Sequence, residues 1–151
     1  MATFIMLPDG VTGTNEWKNP SHGTCSHTNV DSDDGDTDYC YETQNSHEVT
    51  FTLAAPGVAE ASIDSITSVQ VKLSAAYSDT NVGVTRFTST QTGGMISNGF
   101  STHNVSSGNS YSTYSGVAET TFNGTNAWTY GALGDLQIKL DKLKGTPYLL
   151  L

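Results

Sequence analysis

The sequence has 151 residues and a formal net charge of -9, from fifteen acidic and six basic side chains. A chain of this length fits one domain. So few Lys and Arg leave no basic stripe that could neutralise a run of phosphates, so we expect no nucleic-acid partner. No stretch approaches the roughly 18 apolar residues that span a bilayer, and the acidity disfavours an anionic membrane surface. The sequence therefore predicts a soluble protein with no membrane partner.

The composition also bears on the fold class. Ser, Thr, Asn and Gly are abundant, whereas Lys, Arg and Leu are scarce. This balance disfavours long helices, which prefer Ala and straight-chain residues, and is tolerated by sandwiches and barrels. We expect a single all-β domain over residues 1–151, built as a two-sheet antiparallel β-sandwich with about eight strands.

The first element in chain order is Phe4–Leu7, whose residue types predict a strand, and Asp9-Gly10 predicts a turn after it. The amino-terminal residues have no basic region and too short an apolar run for a secretory signal, so we expect a protein made and used inside a cell. Cys25 and Cys40 are then expected to stay reduced, although a pair with this separation could also bridge two strands.

An acidic cluster follows, with carboxylates at Asp31, Asp33, Asp36 and Asp38. Such carboxylates are the hard oxygen ligands that calcium prefers. The cluster does not match an EF-hand loop, however, because Gly35 precedes Asp36 and so reverses the order of acid and glycine in that loop. We expect a solvated acidic turn without metal, and a weak calcium site is the alternative.

The ligand types of zinc also occur in this part of the chain, at His22, Cys25, His27, Cys40 and His47. There is no Cys-x-x-Cys pair, and the spacing fits no known zinc finger. We therefore expect ordinary loop histidines, no metal centre and no cofactor.

Alternation of apolar and polar residues is the dominant pattern of the chain, and it predicts strands with one buried face. The clearest cases are 49–53, 69–75 and 136–140. Weaker candidates, rich in β-branched or aromatic residues, are 38–42, 82–89 and 110–117. Turns are predicted at Gly93-Gly94, Asn98-Gly99 and Asn123-Gly124, and residues 54–65 have room for one helical turn.

Aromatic residues could form a platform on which sugars stack, and the candidates are Trp17, Tyr111, Tyr114, Trp128 and Tyr130. Burial in a core or an interface is the commoner fate of such side chains. Tyr111 and Tyr114 are three residues apart in a predicted strand, so they face opposite sides of it. We expect core or interface packing, with sugar binding as the alternative.

No motif in the sequence indicates catalysis. No serine lies in a Gly-x-Ser-x-Gly elbow, and no pair among the fifteen acidic residues stands out as a glycosidase pair. The sequence therefore predicts no catalytic residues.

Both ends of this polar chain are apolar. Burying such side chains contributes about 25 cal/mol per Å², so the ends are expected to pack on their own sheets or on a neighbouring subunit. Our hypothesis is that they join subunits or bind a larger shell. The residues expected to make these contacts are Phe4, Ile5, Met6, Leu7, Tyr148, Leu149, Leu150 and Leu151.

A set of short segments occurs in a characteristic order along nearly the whole chain: Leu7–Gly10, Trp17, Asp33–Tyr39, Glu48–Leu53, Ile66–Val71, Ser110–Tyr114, Asn126–Thr129 and Leu133–Ile138. In this order the segments resemble small jelly-roll structural proteins of tailed bacteriophages.

The resemblance implies a jelly-roll-like fold and a virion protein of the capsid decoration, or cement, type. Such a protein would be made in the host cytoplasm and bind the major capsid protein on the outer capsid surface as a homotrimer, without catalytic residues or cofactors. A carbohydrate-binding β-sandwich or a head or tail fibre component is the alternative, and a small hydrolase is a third.

Overall fold

The computed structural model describes residues 3–21, 23–30, 39–44, 46–77, 83–91, 94–95, 101–105, 112–121, 125–144 and 149–150. These residues are mostly strands in antiparallel sheets with little helix, which confirms the all-β class. The strands are β1 (Pro8–Thr12), β2 (Tyr41–Glu42), β3 (Glu48–Leu53), β4 (Lys72–Tyr77), β5 (Gly83–Gln91), β6 (Gly94–Met95), β7 (Ser101–Val105), β8 (Ser112–Ser115), β9 (Leu136–Lys144) and β10 (Leu149–Leu150).

Helical structure in the described residues is limited to short elements. One five-residue helix, α1, spans Tyr130–Gly134, and two 3-10 turns span His27–Asn29 and Glu60–Ser62. The side chain of Thr129 caps α1 by accepting a hydrogen bond from the Ala132 backbone N–H at 3.1 Å. No helix in this part of the chain is long and apolar enough to cross a membrane.

The strands form two antiparallel sheets. The first has the order β1-β3-β9-β5, and both β6 and β7 pair with β5. The second has the order β2-β10-β4-β8. Strands that neighbour each other in space are therefore often distant in sequence, as β3 and β9 are.

One hydrophobic cluster joins residues from both sheets. The first sheet contributes Val49 and Phe51 from β3 and Leu140 from β9, and the second contributes Ala75 from β4. The side chains of Trp17, Cys25 and Cys40 complete this cluster. A second cluster consists of Trp128, Ala132, Leu133 and Leu136, so α1 and the start of β9 share it.

The chain passes from the first sheet to the second close to Trp17. The Glu16 backbone N–H donates to the Glu48 carbonyl at 3.1 Å, at the start of β3. Two residues later, Lys18 and Tyr41 exchange backbone hydrogen bonds of 2.9 and 2.8 Å, which attach the chain to β2. Trp17, between these two attachments, is completely buried. A segment that passes between two sheets in this way forms a corner of the fold.

The predicted strands at 49–53, 69–75, 82–89, 110–117 and 136–140 correspond to β3, β4, β5, β8 and β9 with shifted ends. The region 38–42 is reduced to β2 among the described residues, and the helical turn expected within 54–65 is Glu60–Ser62. The strands β6, β7 and β10 were not predicted. The turns at Asn98-Gly99 and Asn123-Gly124 fall outside the described residues.

The strand expected at Phe4–Leu7 with a turn at Asp9-Gly10 was wrong. The ladder begins at Pro8 and runs through both turn residues. The reason is a β-bulge, seen as a register shift between Pro8 and Gly10 opposite β3. A bulge accommodates turn-type residues inside a strand.

The expectation that the two cysteines stay reduced was also wrong. Cys25 and Cys40 form a disulfide with their Cα atoms 5.4 Å apart. The expectation rested on the cellular compartment, whereas the fold brings the two residues together. The Cys25 backbone N–H donates to the Trp17 carbonyl. Cys40 directly precedes β2, and Tyr41 of β2 pairs with Lys18, the residue after Trp17.

Candidate functional site

The amino-terminal apolar segment divides into a packed side and an exposed side. Phe4 and Met6 pack against the second hydrophobic cluster. Ile5 is 78% exposed and Leu7 is 47% exposed, as expected of an extended chain whose successive side chains point in opposite directions. The Leu7 carbonyl accepts a hydrogen bond of 2.8 Å from the Ala54 backbone N–H. The two exposed side chains are therefore carried by a segment that is fastened to the sheet.

The carboxyl-terminal apolar segment has a different environment. Leu149 and Leu150 form β10, whose backbone pairs with β2 on one side and with β4 on the other. Both edges of this short strand are therefore paired within the second sheet. Tyr148 and Leu151 lie outside the described residues.

The acidic cluster at Asp31, Asp33, Asp36 and Asp38 also lies outside the described residues, so the weak calcium site stays a prediction. Within the described ranges, no group of three or more His, Cys, Asp or Glu side chains could hold a metal ion. The disulfide occupies the two thiols that the zinc alternative would have needed.

The tryptophans are packed inside the fold. Trp17 is 0% exposed and its indole N–H donates to the His47 carbonyl at 3.2 Å, while Trp128 is 5% exposed and donates to the Glu119 carbonyl at 2.9 Å. Neither ring can stack on a sugar in this arrangement. The Tyr130 hydroxyl donates to the Val58 carbonyl at 3.0 Å. Tyr114 is half-buried against the first cluster, and Tyr111 lies outside the described residues.

Sequence reasoning missed a cluster of charged side chains at one end of the first sheet. The cluster consists of Glu16, Glu42, His47 and Lys142. The His47 carbonyl accepts hydrogen bonds from the Trp17 indole N–H and the Lys142 backbone N–H, both at 3.2 Å. Lys142 is 0% exposed and Glu42 is 3% exposed. A signal was present in the sequence: Leu136, Ile138 and Leu140 alternate along β9, and one further step of two residues places Lys142 on the same inward face.

The Glu42 carboxylate is held by several groups. Its Oε1 accepts backbone hydrogen bonds from Thr43 at 2.6 Å and Gln44 at 2.7 Å. Its Oε2 lies 3.0 Å from His47 Nδ1, although the orientation of the two groups falls outside hydrogen-bond geometry. His47 Nε2 lies 3.7 Å from Glu16 Oε1. The imidazole therefore has a carboxylate near each nitrogen.

Burial lowers the pKa of Lys142, and the nearby Glu42 carboxylate partly opposes that effect. Among the described residues, the Lys142 Nζ has no hydrogen-bond partner. A buried amine of this kind can act as a nucleophile, but its side chain is inaccessible to any molecule outside the fold. Lys142 and Glu42 therefore form the buried part of the cluster, where they interact electrostatically between the two sheets.

Comparison with models of known protein families, with curated proteins and with solved structures found no match for this chain.

Proposed function

We propose that this chain is a bacteriophage virion structural protein, a capsid decoration protein that binds the major capsid protein on the outer surface of the shell and stabilises it. In this proposal the two sheets form a jelly-roll-like sandwich, and three copies assemble as a homotrimer. The protein binds through buried area and makes or breaks no covalent bond.

The observation that carries the proposal is the exposure of Ile5 and Leu7 on a fastened segment. A large apolar side chain exposed beside a second one is a candidate contact for another protein. Phe4 and Met6 hold the segment against the core, and the hydrogen bond between Leu7 and Ala54 fixes its direction. Because the segment is held in this way, little conformational entropy is lost on binding.

Buried tryptophans and a disulfide also support a structural role. Trp17, Cys25 and Cys40 are at most 2% exposed and lie in one cluster with residues from both sheets. Such packing gives a stiff body, which suits a protein that reinforces a shell. The same burial counts against the carbohydrate-binding alternative, because it removes both tryptophans from the surface.

The test is binding to undecorated capsids. We expect the natural chain to bind them and to raise the temperature at which they open, and Ile5→Ser/Leu7→Ser to bind at least tenfold more weakly because it loses apolar contact area. Val117→Ser is the matched control, since Val117 is 69% exposed but lies after β8.

Failure of the natural chain to bind any undecorated capsid or to raise its thermal resistance would overturn the proposal. Equal binding by the double variant and by the control would remove Ile5 and Leu7 from the contact. A glycan array that captured the natural chain would favour the carbohydrate-binding alternative instead.

A further inference from the structure

Three short chain segments meet at the disulfide, and backbone hydrogen bonds join them independently of it. The middle segment begins at Trp17, whose carbonyl accepts a hydrogen bond of 2.9 Å from the Cys25 backbone N–H. The next residue, Lys18, exchanges hydrogen bonds of 2.9 and 2.8 Å with Tyr41. Because Tyr41 directly follows Cys40, both cysteines lie on segments that are attached to the same middle segment.

The segment that carries Cys25 is held by further contacts. Asn15 Nδ2 donates a hydrogen bond of 2.7 Å to the Cys25 carbonyl. Asn19 binds Gly23 twice, since its backbone N–H donates to the Gly23 carbonyl at 3.0 Å and its Oδ1 accepts from the Gly23 backbone N–H at 3.0 Å. Loss of the covalent bond would therefore leave this segment attached to the rest of the fold.

The surroundings of the two sulfur atoms suit thiols as well as a disulfide. Both cysteines are buried in the first hydrophobic cluster beside Trp17, and a free cysteine packs as a small hydrophobic residue. The Ser26 carbonyl oxygen lies 3.8 Å from Cys25 Sγ and 3.7 Å from Cys40 Sγ. In the reduced chain this oxygen is placed to accept a hydrogen bond from a thiol, which is a weak donor.

We infer that the chain reaches its native fold with both thiols reduced, and that the disulfide is a covalent lock added to the folded protein. A domain of 151 residues can bury enough surface to fold without such a bond. The joined segments hold the two Cα atoms 5.4 Å apart, within the usual range for a disulfide. A reducing compartment would then contain a folded chain with an open lock, and an oxidising compartment would close it.

Closure of the lock is a two-electron oxidation by a small external disulfide such as oxidised glutathione. One cysteine thiolate attacks a glutathione sulfur, which forms a mixed disulfide and releases one glutathione thiol. The second thiolate attacks the cysteine sulfur of the mixed disulfide, so the Cys25–Cys40 bond forms and the second glutathione thiol leaves. The two protons and two electrons lost by the cysteines end on these two thiols. Because both sulfur atoms are buried, the first attack requires local opening of the core.

Refolding of the natural chain under reductant tests the lock. The chain is unfolded in urea with a phosphine reductant, and the urea is then diluted while the reductant remains. We expect the near-ultraviolet circular dichroism of the oxidised protein to return, because Trp17 regains its packing, with a cooperative urea transition at a lower midpoint. Alkylation of both thiols should be slower than in urea by a factor of roughly ten or more, since both are buried.

The second step replaces the reductant with oxidised glutathione in the absence of urea. We expect a monomer with the Cys25–Cys40 bond and the urea midpoint of the oxidised protein. Cys25→Ala/Cys40→Ala is the matched control and should refold identically with and without reductant and ignore the oxidant. If this variant does not fold, the natural chain alone decides.

A reduced chain without the native dichroism, or one that closes the bond only in urea, would overturn the inference. The segments that carry the lock are distinct from the one that carries Ile5 and Leu7, so either result leaves the proposed function standing.

Discussion

Lys142 of β9 and Glu42 of β2 are two buried charged side chains that belong to different sheets and interact electrostatically. The ammonium is completely buried, and the carboxylate is held by two backbone N–H groups. Burial of such a pair costs solvation free energy that the mutual attraction only partly returns. The net effect of Lys142 on the stability of the fold therefore depends on its charge.

The stability of the fold should depend on pH through Lys142. Below its lowered pKa, Lys142 is charged in the folded and the unfolded chain, and the folded state bears the full cost of burying that charge. Between the lowered pKa and the ordinary value of 10.5, the folded chain releases the proton while the unfolded chain keeps it. The free energy of unfolding then rises with pH, because the unfolded state binds more protons.

We therefore expect the free energy of unfolding of the natural chain, minus that of Lys142→Met, to increase as the pH is raised towards 10.5. Urea unfolding at a series of pH values measures this difference, and effects of the titrating groups that do not interact with Lys142 cancel in it. Lys72→Met, which changes an exposed lysine on β4, should leave the trend intact. A pH-independent difference would show that Lys142 does not titrate as its burial requires.

The disulfide should contribute substantially to stability. Its two cysteines are 15 residues apart, and closing a loop of that size is worth about 3 kcal/mol in the chain-entropy description. We expect Cys25→Ala/Cys40→Ala to lower the free energy of unfolding by about that amount, together with a loss from the smaller buried side chains. Reductant should destabilise the natural chain in urea and leave the double variant unchanged. Equal sensitivity of both proteins would contradict the bond.

The strands with strong alternation were predictable because burial of one face leaves a period of two in the sequence. Val49 and Phe51 are buried, while Thr50 and Thr52 between them remain partly exposed. The strand β10 was not predictable in this way. In the part of the chain that the structure describes it has two ladder residues, and its position between β2 and β4 depends on partners about 70 to 110 residues earlier in the chain.

The candidate site was predictable only in part, because its arrangement depends on residues that are distant in sequence. The apolar character of Phe4–Leu7 is plain in the sequence, but which two of its side chains stay exposed depends on how the segment lies against the second cluster. The electrostatic interaction between Glu42 and Lys142 involves residues 100 positions apart in the numbering. Only the continued alternation of β9 hinted at the inward position of Lys142.

Trp17 should be among the most sensitive positions for stability. Its side chain is 0% exposed, and its indole N–H donates to the His47 carbonyl at the corner between the sheets. We expect Trp17→Ala to lower the free energy of unfolding by about 3–5 kcal/mol, the usual cost of emptying a large aromatic site. Trp17→Phe should cost less, since it keeps much of the apolar volume. Urea unfolding compares both with Val117→Ala, an exposed site where little change is expected.

The close approach of Gly10 to Thr52 provides a test of the β-bulge in β1. A Cβ at Gly10 would lie 2.6 Å from Thr52 Oγ1, and that oxygen donates a hydrogen bond of 2.7 Å to Asp9 Oδ1. A side chain at position 10 must therefore displace the hydroxyl and break its bond. We expect Gly10→Ala to lower the free energy of unfolding by about 1–3 kcal/mol, as overpacking does.

The cost of Gly10→Ala should shrink when the obstructing hydroxyl is absent. In the Thr52→Ala background neither the clash nor the Asp9 hydrogen bond exists, so adding Gly10→Ala should change stability by much less than in the natural chain. The four proteins form a double-mutant cycle, and the coupling between the two positions is read from their urea midpoints. Additive effects would mean that the cost of Gly10→Ala does not come from the space beside Thr52.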